Sequence, residues 1–445
     1  MALAEVFERV AGPDAPVEFH AFDGSSAGTA SSPVKILVRD RTAVSYLAQA
    51  PGALGLARAY VSGHLDVEGD MHAALARMAP AQRIELDLAE RLRLLRELGG
   101  PRVLLPRVPP PPQEVRVRRR WLSGRRHSQG RDASAISHHY DVSNRFYEWV
   151  LGPSMGYTCA CYPTTDATLE EAQAYKTDLV ARKLALAPGM RLLDVGCGWG
   201  AMVIHAAREY GVRALGVTLS RQQAQWARHA IAEAGLSDLA EVRHLDYRNV
   251  TETGFDAVSS IGLTEHIGKA QLPGYFSFLL GKLRPEGRLL NHCITRPDNR
   301  GPARVTDGFI YRYVFPDGEL EGPGYLVSLM HDAGFEVRHA ENLREHYPRT
   351  LAQWCANLDA HWDEAVAEVG DGTARVWRLY MAGSRLGFER NQIQLHQFLG
   401  VKVGANGESG MPLRPDWEPA AEAAGRAAVR NGPAAWAAAG SSRQP

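Results

Sequence analysis

No run of about eighteen apolar residues occurs anywhere in the chain, which excludes a membrane-spanning helix and predicts a soluble or peripheral protein. Cysteine is scarce. The five residues Cys159, Cys161, Cys197, Cys293 and Cys355 are odd in number and irregularly spaced, which argues against a disulfide framework and suits a reducing cytoplasm. Cys159-Ala160-Cys161 has no second pair and HExxH is absent, so no metal site is expected. Neither charge is in excess, with 50 Lys+Arg against 50 Asp+Glu, so no nucleic-acid partner is indicated and electrostatic partners must come from local patches. The opening MALAEVFERV carries acid early and lacks an apolar core, which predicts no signal peptide and a cytoplasmic location. No internal repeat is present.

The chain's 445 residues, 45% of them apolar, predict two domains plus linkers. In residues 1–100, VEFHAF and VKILVRD alternate as strands, followed by helical TAVSYLAQ, GALGLARAYV and MHAALARM, a small α+β unit. Residues 101–132 form a Pro/Arg-rich linker, extended through PRVLLPRVPPPPQ. Its second half places Arg116, Arg118, Arg119, Arg120, Arg125 and Arg126 around Trp121 and Leu122. That stretch reads either as a solvated linker or as a basic-aromatic patch for anionic headgroups, each basic group contributing about 1 kcal/mol at such a surface. Nucleic acid is a poorer third reading. Residues 133–405 are the main domain, and residues 406–445 an Ala/Gly/Pro-rich tail.

The main domain is organised around Arg191 to Gly200, RLLDVGCGWG. Leu192 and Leu193 predict a strand buried on both faces. Asp194 then precedes Gly196, Gly198 and Gly200, a turn that lets a ligand approach the backbone, and helical AMVIHAAREY follows. Strand–helix alternation continues through VRALGVT, AEVRHL, FDAVSSI and RLLNHCIT, with FEVRHAE fitting the final position of the sheet. A dinucleotide-binding strand would show GxGxxG and an acidic residue roughly 20 residues on. Here the spacing is GxGxG and that later position holds Thr218, Ser220 and Gln223. The motif resembles motif I of the class I S-adenosylmethionine (SAM) methyltransferases, which implies an α/β fold with a Rossmann-like, doubly wound, mostly parallel sheet. The missing carboxylate leaves Gln223 or the Thr218 backbone to hold the ribose.

Ligands of open α/β sheets sit beyond the carboxyl ends of the strands. Asp246 and Tyr247 follow the third strand, Glu265 and His266 the fourth, and His292 lies late in the fifth beside Cys293 and Ile294. Alone, His292 reads as a satisfied core histidine and Glu265 as a helix N-terminal carboxylate. Their convergence on one rim points to chemistry instead.

The ordered set HHYDVSNRFYEWVL, MGYTCACY, DVGCGWG, GVTLSRQQ, DYR, EHIG and FIYRYVFPDGEL resembles the cyclopropane fatty acid synthase family, including the mycolic acid cyclopropane synthases. GALGLARAYVSGHLDVE is similar to the N-terminal domain of its full-length bacterial members. The resemblance implies methyl transfer from SAM to the cis double bond of an unsaturated acyl chain in a membrane phospholipid. A bound bicarbonate ion then deprotonates the resulting cation. It further implies a bicarbonate cradle of Cys159, Glu265, His292, the Ile294 backbone and Tyr347. SAM contacts would come from Tyr157, Thr158, Asp194, Gly196, Gly198, Gly200, Thr218, Leu219, Ser220, Gln223, Asp246 and Tyr247. An alkene needs no activated protein nucleophile; it needs a dry pocket, cation-stabilising aromatic faces and a weak base. Tyr140, Phe146, Tyr147, Trp149, Tyr157, Tyr311, Tyr313 and Phe315 supply candidate faces, with core packing as their ordinary alternative.

The cation has two exits. Ring closure gives a cyclopropane; a hydride shift followed by loss of a methyl proton gives a methylene branch. RNQIQLHQFLGV places His396 where ring-forming enzymes usually carry an aromatic residue, and resembles instead the actinobacterial methyltransferases that make 10-methylene stearoyl chains from oleoyl chains, the precursors of tuberculostearic acid. That subgroup implies a separate flavin- or NADPH-dependent reductase as partner, and the lipid substrate implies that the protein itself is cytoplasmic and peripheral at the inner face of the membrane. A cyclopropane synthase, a SAM methyltransferase for a soluble small molecule, and a catalytically silent lipid-binding subunit remain alternatives. A homo-oligomer stays open.

Overall fold

The computed structural model describes residues 2–79, 88–115, 127–132, 143–301 and 308–418. Arg116 to Arg126, with Trp121 and Leu122, lie outside the described residues, as does Tyr140. Near the N-terminus, β1 (Glu18–Ala21), β2 (Ser26–Gly28), β3 (Lys35–Val38) and β4 (Leu65–Glu68) form a four-stranded sheet in the order β2-β1-β3-β4. β1 runs parallel to β3, and the two outer pairings are antiparallel. Helices Arg41–Gln49, Ala53–Val61 and Met71–Met78 occupy the stretches read as helical, the first and last capped by Asp40 and Asp70. The short strands β2 and β4 were not foreseen; Ser26–Gly28 carries no large apolar residue, and Leu65–Glu68 lies between stretches that read as helical.

The larger sheet contains β5 (Arg191–Val195), β6 (Arg213–Thr218), β7 (Ala240–His244), β8 (Phe255–Ile261), β9 (Leu283–Thr295), β10 (Glu336–Asn342) and β11 (Gln394–Val401). Its seven strands are ordered β10-β11-β9-β8-β5-β6-β7, with β11 alone antiparallel to its neighbours. β5 is buried on both faces, as its sequence predicts. Leu192 joins the core under helices Leu169–Leu184, Ala201–Tyr210 and Arg221–Glu233, whereas Leu193 joins the core under Leu272–Lys282 and Pro323–Asp332. FEVRHAE forms the edge strand β10 but is not the sheet's last strand in the chain. That is β11, which enters between β10 and β9. His396 and Gln397 interrupt the apolar run of β11, which hides its strand character from a periodicity reading.

Helix Asp371–Glu389 docks the N-terminal unit. Its Ala382 packs into the core of that unit, and its Arg375 pairs with Asp66 at 3.0 Å. The proline-rich stretch is held as well. The Tyr46 hydroxyl donates to Pro109 O at 2.8 Å, and Val108 N donates to Gln49 Oε1 at 2.9 Å. Beyond it, Arg58 grips the buried Glu114 through two bonds of 2.6 and 2.7 Å. The Tyr313 hydroxyl donates to the same carboxylate at 3.1 Å. Among the described residues no helix is long and apolar enough to cross a membrane.

Candidate active site

The glycine turn after β5 works by geometry. Gly196, Gly198 and Gly200 all have positive φ, at 74°, 54° and 85°. A Cβ on Gly196 would lie 3.2 Å from Leu263, whereas one on Gly198 would meet nothing within 4 Å. Gly198 therefore presents bare backbone to open space, where a ligand can approach. That space is a cavity beyond the carboxyl ends of β5, β6 and β8. Tyr157, Thr158, Asp194, Gly196, Gly198, Thr218, Leu219, Gln223 and Tyr247 line it, as the sequence reading expects.

Three expected residues do not line it. Gly200 starts helix Ala201–Tyr210 beneath the turn. Ser220 accepts from Gln223 N as the cap of the next helix. Asp246 is turned onto Arg248, with bonds of 2.8 and 2.6 Å, so Arg248 and not Asp246 reaches the cavity wall. Gln223 is also engaged: its Oε1 accepts from Thr218 Oγ1 at 2.7 Å.

The cavity is dry on one side and charged on the other. Burial pushes the Asp194 carboxyl up to about 6 even though Ser259 Oγ donates to it at 2.6 Å. Burial lowers His266 to about 4, so it is neutral at physiological pH. Lys176 reaches in from helix Leu169–Leu184 and donates to Thr158 Oγ1 at 2.9 Å. The rim opposite is the segment Val314–Gly318, where Asp317 is held by Arg131 through bonds of 2.7 and 2.8 Å.

Behind this cavity lie the residues expected to form the cradle, none of which lines it. Glu265 stands in the one-turn helix Thr264–Ile267, but its carboxylate does not serve that helix. Oε1 accepts the Ile294 N–H at 2.7 Å, and Oε2 is buried with no partner. Ile294 thus already spends the N–H that the resemblance assigns to an anion. Desolvation pushes Glu265 up to about 7. Two residues before Ile294, His292 is also only half satisfied. Its Nδ1 lies 3.2 Å from Gln397 Nε2, and its Nε2 has no partner.

Lys183 resolves the tautomer of His292. Its ammonium can only donate, so the Gln397 atom 2.7 Å from it is the oxygen. The Gln397 amide nitrogen therefore donates to His292 Nδ1, which leaves the imidazole proton on Nε2. Burial, with Lys176 and Lys183 nearby, holds His292 well below its ordinary pKa and thus neutral. Glu341 pairs with Lys183 from the far side.

Cys159 and Tyr347 approach on another element. The segment Cys159–Tyr162 is pinned to helix His346–Ala360 by Ala160 N donating to Thr350 Oγ1 at 3.1 Å and Tyr162 N to His346 Nδ1 at 2.9 Å. Cys159 and Tyr347 both belong to the core between these segments, where burial pushes the Cys159 thiol far up and keeps it protonated.

Aromatic side chains fill the space between the two groups. Tyr147 contacts Trp199 at 4.6 Å, Tyr157 contacts Trp354 at 5.4 Å, and Phe315 contacts Tyr380 at 5.9 Å. The Tyr157 and Tyr380 hydroxyls are 3.3 Å apart. Phe146, Tyr147, Tyr157 and Phe315 thus gather in one wall. Trp149 does not; it stacks on His361 under Arg145. Tyr313 is committed to Glu114. Lys176, Lys183, Gln397, Trp377 and Tyr380 were missed by sequence reading. Nothing in the neighbouring sequence marks them; their burial is set by contacts distant along the chain. Among the described residues no group of three or more His, Cys, Asp or Glu side chains is placed to hold a metal ion.

Residues 127–398 match the family described as mycolic acid cyclopropane synthetase. A probable fatty acid methyltransferase of Mycobacterium tuberculosis is 54% identical over 426 residues, covering 94% of this chain and 99% of its own. A probable fatty acid methyltransferase of Pseudomonas putida is 39% identical over 401 residues, covering 89% and 94%. Among solved structures, a mycolic acid cyclopropane synthase complexed with SAH and CTAB superposes with a TM-score of 0.57 at 33% identity, covering 61% of this chain and 98% of that one.

Proposed function

Because the chain belongs to the mycolic acid cyclopropane synthetase family and is a SAM-dependent methyltransferase, we propose that it methylates the cis double bond of oleoyl chains esterified in membrane phospholipid, giving a 10-methylene branch. The two relatives that align with 94% and 89% of the chain are named probable fatty acid methyltransferases, which supports an acyl substrate. SAM would supply an electrophilic methyl group, its S–CH3 bond breaking to release S-adenosylhomocysteine, and the alkene would supply the electron pair, leaving a carbocation on the acyl chain.

The protein's task is to place the two partners and shelter the cation. Tyr157 and Phe315 flank the cofactor cavity and belong to a wall that continues through Tyr380, Trp377 and Trp354. Such faces stabilise positive charge by about 1–2 kcal/mol each when water is excluded.

The observation that carries the reading is the pair of unpartnered buried atoms, Glu265 Oε2 and His292 Nε2. Other buried polar atoms of the described residues also lack partners, but these two belong to residues at the carboxyl ends of neighbouring strands β8 and β9, where a small polar group could satisfy both. Bicarbonate, whose chemistry would be to accept the released proton, fits this donor set. His292 Nε2–H would offer a neutral donor, Glu265 Oε2 would accept the hydroxyl of the ion, and the Cys159 thiol and Tyr347 hydroxyl would complete the cradle. Since Ile294 N–H is bound to Glu265, its part is to orient that carboxylate.

The remaining proposals follow from the substrate. A phospholipid places the protein peripherally at the membrane, where the Arg116–Arg126 stretch would meet anionic headgroups. A methylene product calls for a separate flavin- or NADPH-dependent reductase.

The test is to incubate the protein with SAM and oleoyl-phospholipid vesicles and examine the acyl product by NMR, since methylene and cyclopropane products are isomers. Olefinic methylene protons are expected. High-field ring protons would make the protein a cyclopropane synthase. Turnover of soluble acceptors without vesicles would overturn the lipid reading, and no turnover of any acceptor would leave a silent lipid-binding subunit.

A further inference from the structure

Lys176 is a buried cation without a counter-ion. It lies in helix Leu169–Leu184, whose start is fixed by the reciprocal Thr168–Glu171 capping box, and is 3% exposed. Among the described residues its ammonium has one hydrogen-bond partner, Thr158 Oγ1 at 2.9 Å, and no carboxylate within ion-pair distance. An ammonium carries three donors. Removing one from water without a paired charge is costly, so such a group signals that something absent supplies the charge.

The location says what that is. Lys176 faces the cavity wall made by Thr158, Asp194, Gly196 and Gly198. The amino-acid end of SAM is a zwitterion, an α-ammonium and an α-carboxylate on one carbon. The cavity offers the matching pair, the Asp194 carboxyl and the Lys176 ammonium, beside the same glycine turn. Burial lowers the Lys176 pKa and Asp194 acts through space in the opposite sense, so an anion bound beside the ammonium would favour its charged form.

We propose that Lys176 binds the α-carboxylate of the cofactor and so fixes which way the amino-acid end lies. This rests on the reading that the cavity takes SAM. The glycine turn accepts the ligand's bulk through backbone; Lys176 recognises a single charge on it. The other anion this protein is proposed to hold, bicarbonate, shares the carboxylate chemistry, so the test must separate the two.

The experiment is calorimetric titration of the full chain with S-adenosylhomocysteine, SAM and decarboxylated SAM, in buffer freed of carbon dioxide and again with added bicarbonate. The parent is expected to bind SAM about 10- to 100-fold more tightly than decarboxylated SAM, the range of a charge-assisted hydrogen bond. Lys176→Met should lose that same factor for SAM and S-adenosylhomocysteine while binding decarboxylated SAM as the parent does. Lys176→Arg should recover part of it. Equal loss for all three ligands would reduce Lys176 to a structural role and overturn the assignment. So would a loss that appears only when bicarbonate is present. Should the Met variant fail to fold, the parent decides alone: equal affinity for SAM and decarboxylated SAM overturns the proposal. A parent that binds none of the three would overturn the cofactor reading itself, and this assignment with it.

Discussion

Lys183 sets the protonation of His292 without touching it. Its ammonium claims the oxygen of the Gln397 amide at 2.7 Å, and the amide nitrogen, 3.2 Å from His292 Nδ1, can then only donate. The imidazole proton is forced onto Nε2, the atom left without a protein partner. Two strands and a helix cooperate here: His292 lies on β9, Gln397 opposite it on β11, and Lys183 comes up from the helix below. A neutral histidine whose donor direction is dictated in this way presents a fixed N–H to whatever lies beside it.

Replacing Gln397 by Leu removes the relay. His292 should then populate both tautomers, and turnover should fall by about tenfold or more as the donor is lost from part of the population. Long-range proton–nitrogen NMR on the ring reports the tautomer, and steady-state kinetics the rate. An unchanged Nε2–H tautomer in the variant would refute the relay.

Glu265→Gln should separate activity from stability. Burial raises the Glu265 carboxyl from 4.5 to about 7. Between those values the folded chain keeps a proton that the unfolded chain has released, so stability is fully present below 4.5 and declines as pH rises toward about 7. The Gln variant lacks this decline and should be more stable than the parent at pH 8 by about 1–3 kcal/mol, with little difference at pH 4. Its turnover should drop by about 100-fold or more. Urea midpoints at the two pH values and product formation on vesicles check the two halves. A Gln variant as active as the parent would sink the cradle.

Arg58→Ala strips the guanidinium from the buried Glu114 carboxylate. A broken buried pair costs about 3–5 kcal/mol. The double change Arg58→Met with Glu114→Leu should recover part of that loss, since the buried carboxylate goes with its guanidinium, although Arg312 and the Tyr313 hydroxyl lose Glu114 as a partner. Thermal unfolding of the three proteins decides, and a double variant no better than the single one would contradict the pairing.

Gly216→Ala tests how closely β6 lies beneath the cofactor turn. The added methyl would sit 2.8 Å from both Cys197 Sγ and Val203 Cγ2. Destabilisation of about 1–3 kcal/mol is expected, with weaker SAM binding because Cys197 belongs to the turn. Binding as tight as the parent's would show that the turn absorbs the methyl.

What could be read along the chain was whatever is local. The strand, glycine turn and helix from Arg191 to Tyr210 follow from neighbouring residues, and so do the alternations of β6 to β10. Their places at strand ends brought Glu265, His292 and Ile294 to notice, the resemblance assigned them roles, and Glu265 and Ile294 meet at 2.7 Å. What escaped is set by contacts across long stretches of chain. His396 attracted attention in β11, yet it bonds Thr295 and stacks on Phe398, and its neighbour Gln397 makes the contact with His292. Asp246 looked like a ligand group because nothing nearby in sequence announces that Arg248 folds back onto it. Lys176 and Lys183 resemble ordinary helix lysines until the burial of the helix is known.

The place of β11 in the sheet bears on how the protein is made. Translation delivers β10 first and β11 about 50 residues later, an interval of roughly 3–10 s at ~5–20 residues per second. Until then β10 has no strand to pair with, the outer edge of β9 is open to other chains, and His292 lacks the amide that orients it. A ribosome-bound chain therefore carries an unoriented His292 and an open sheet edge in the same seconds. Insertion of the last strand ends both conditions at once.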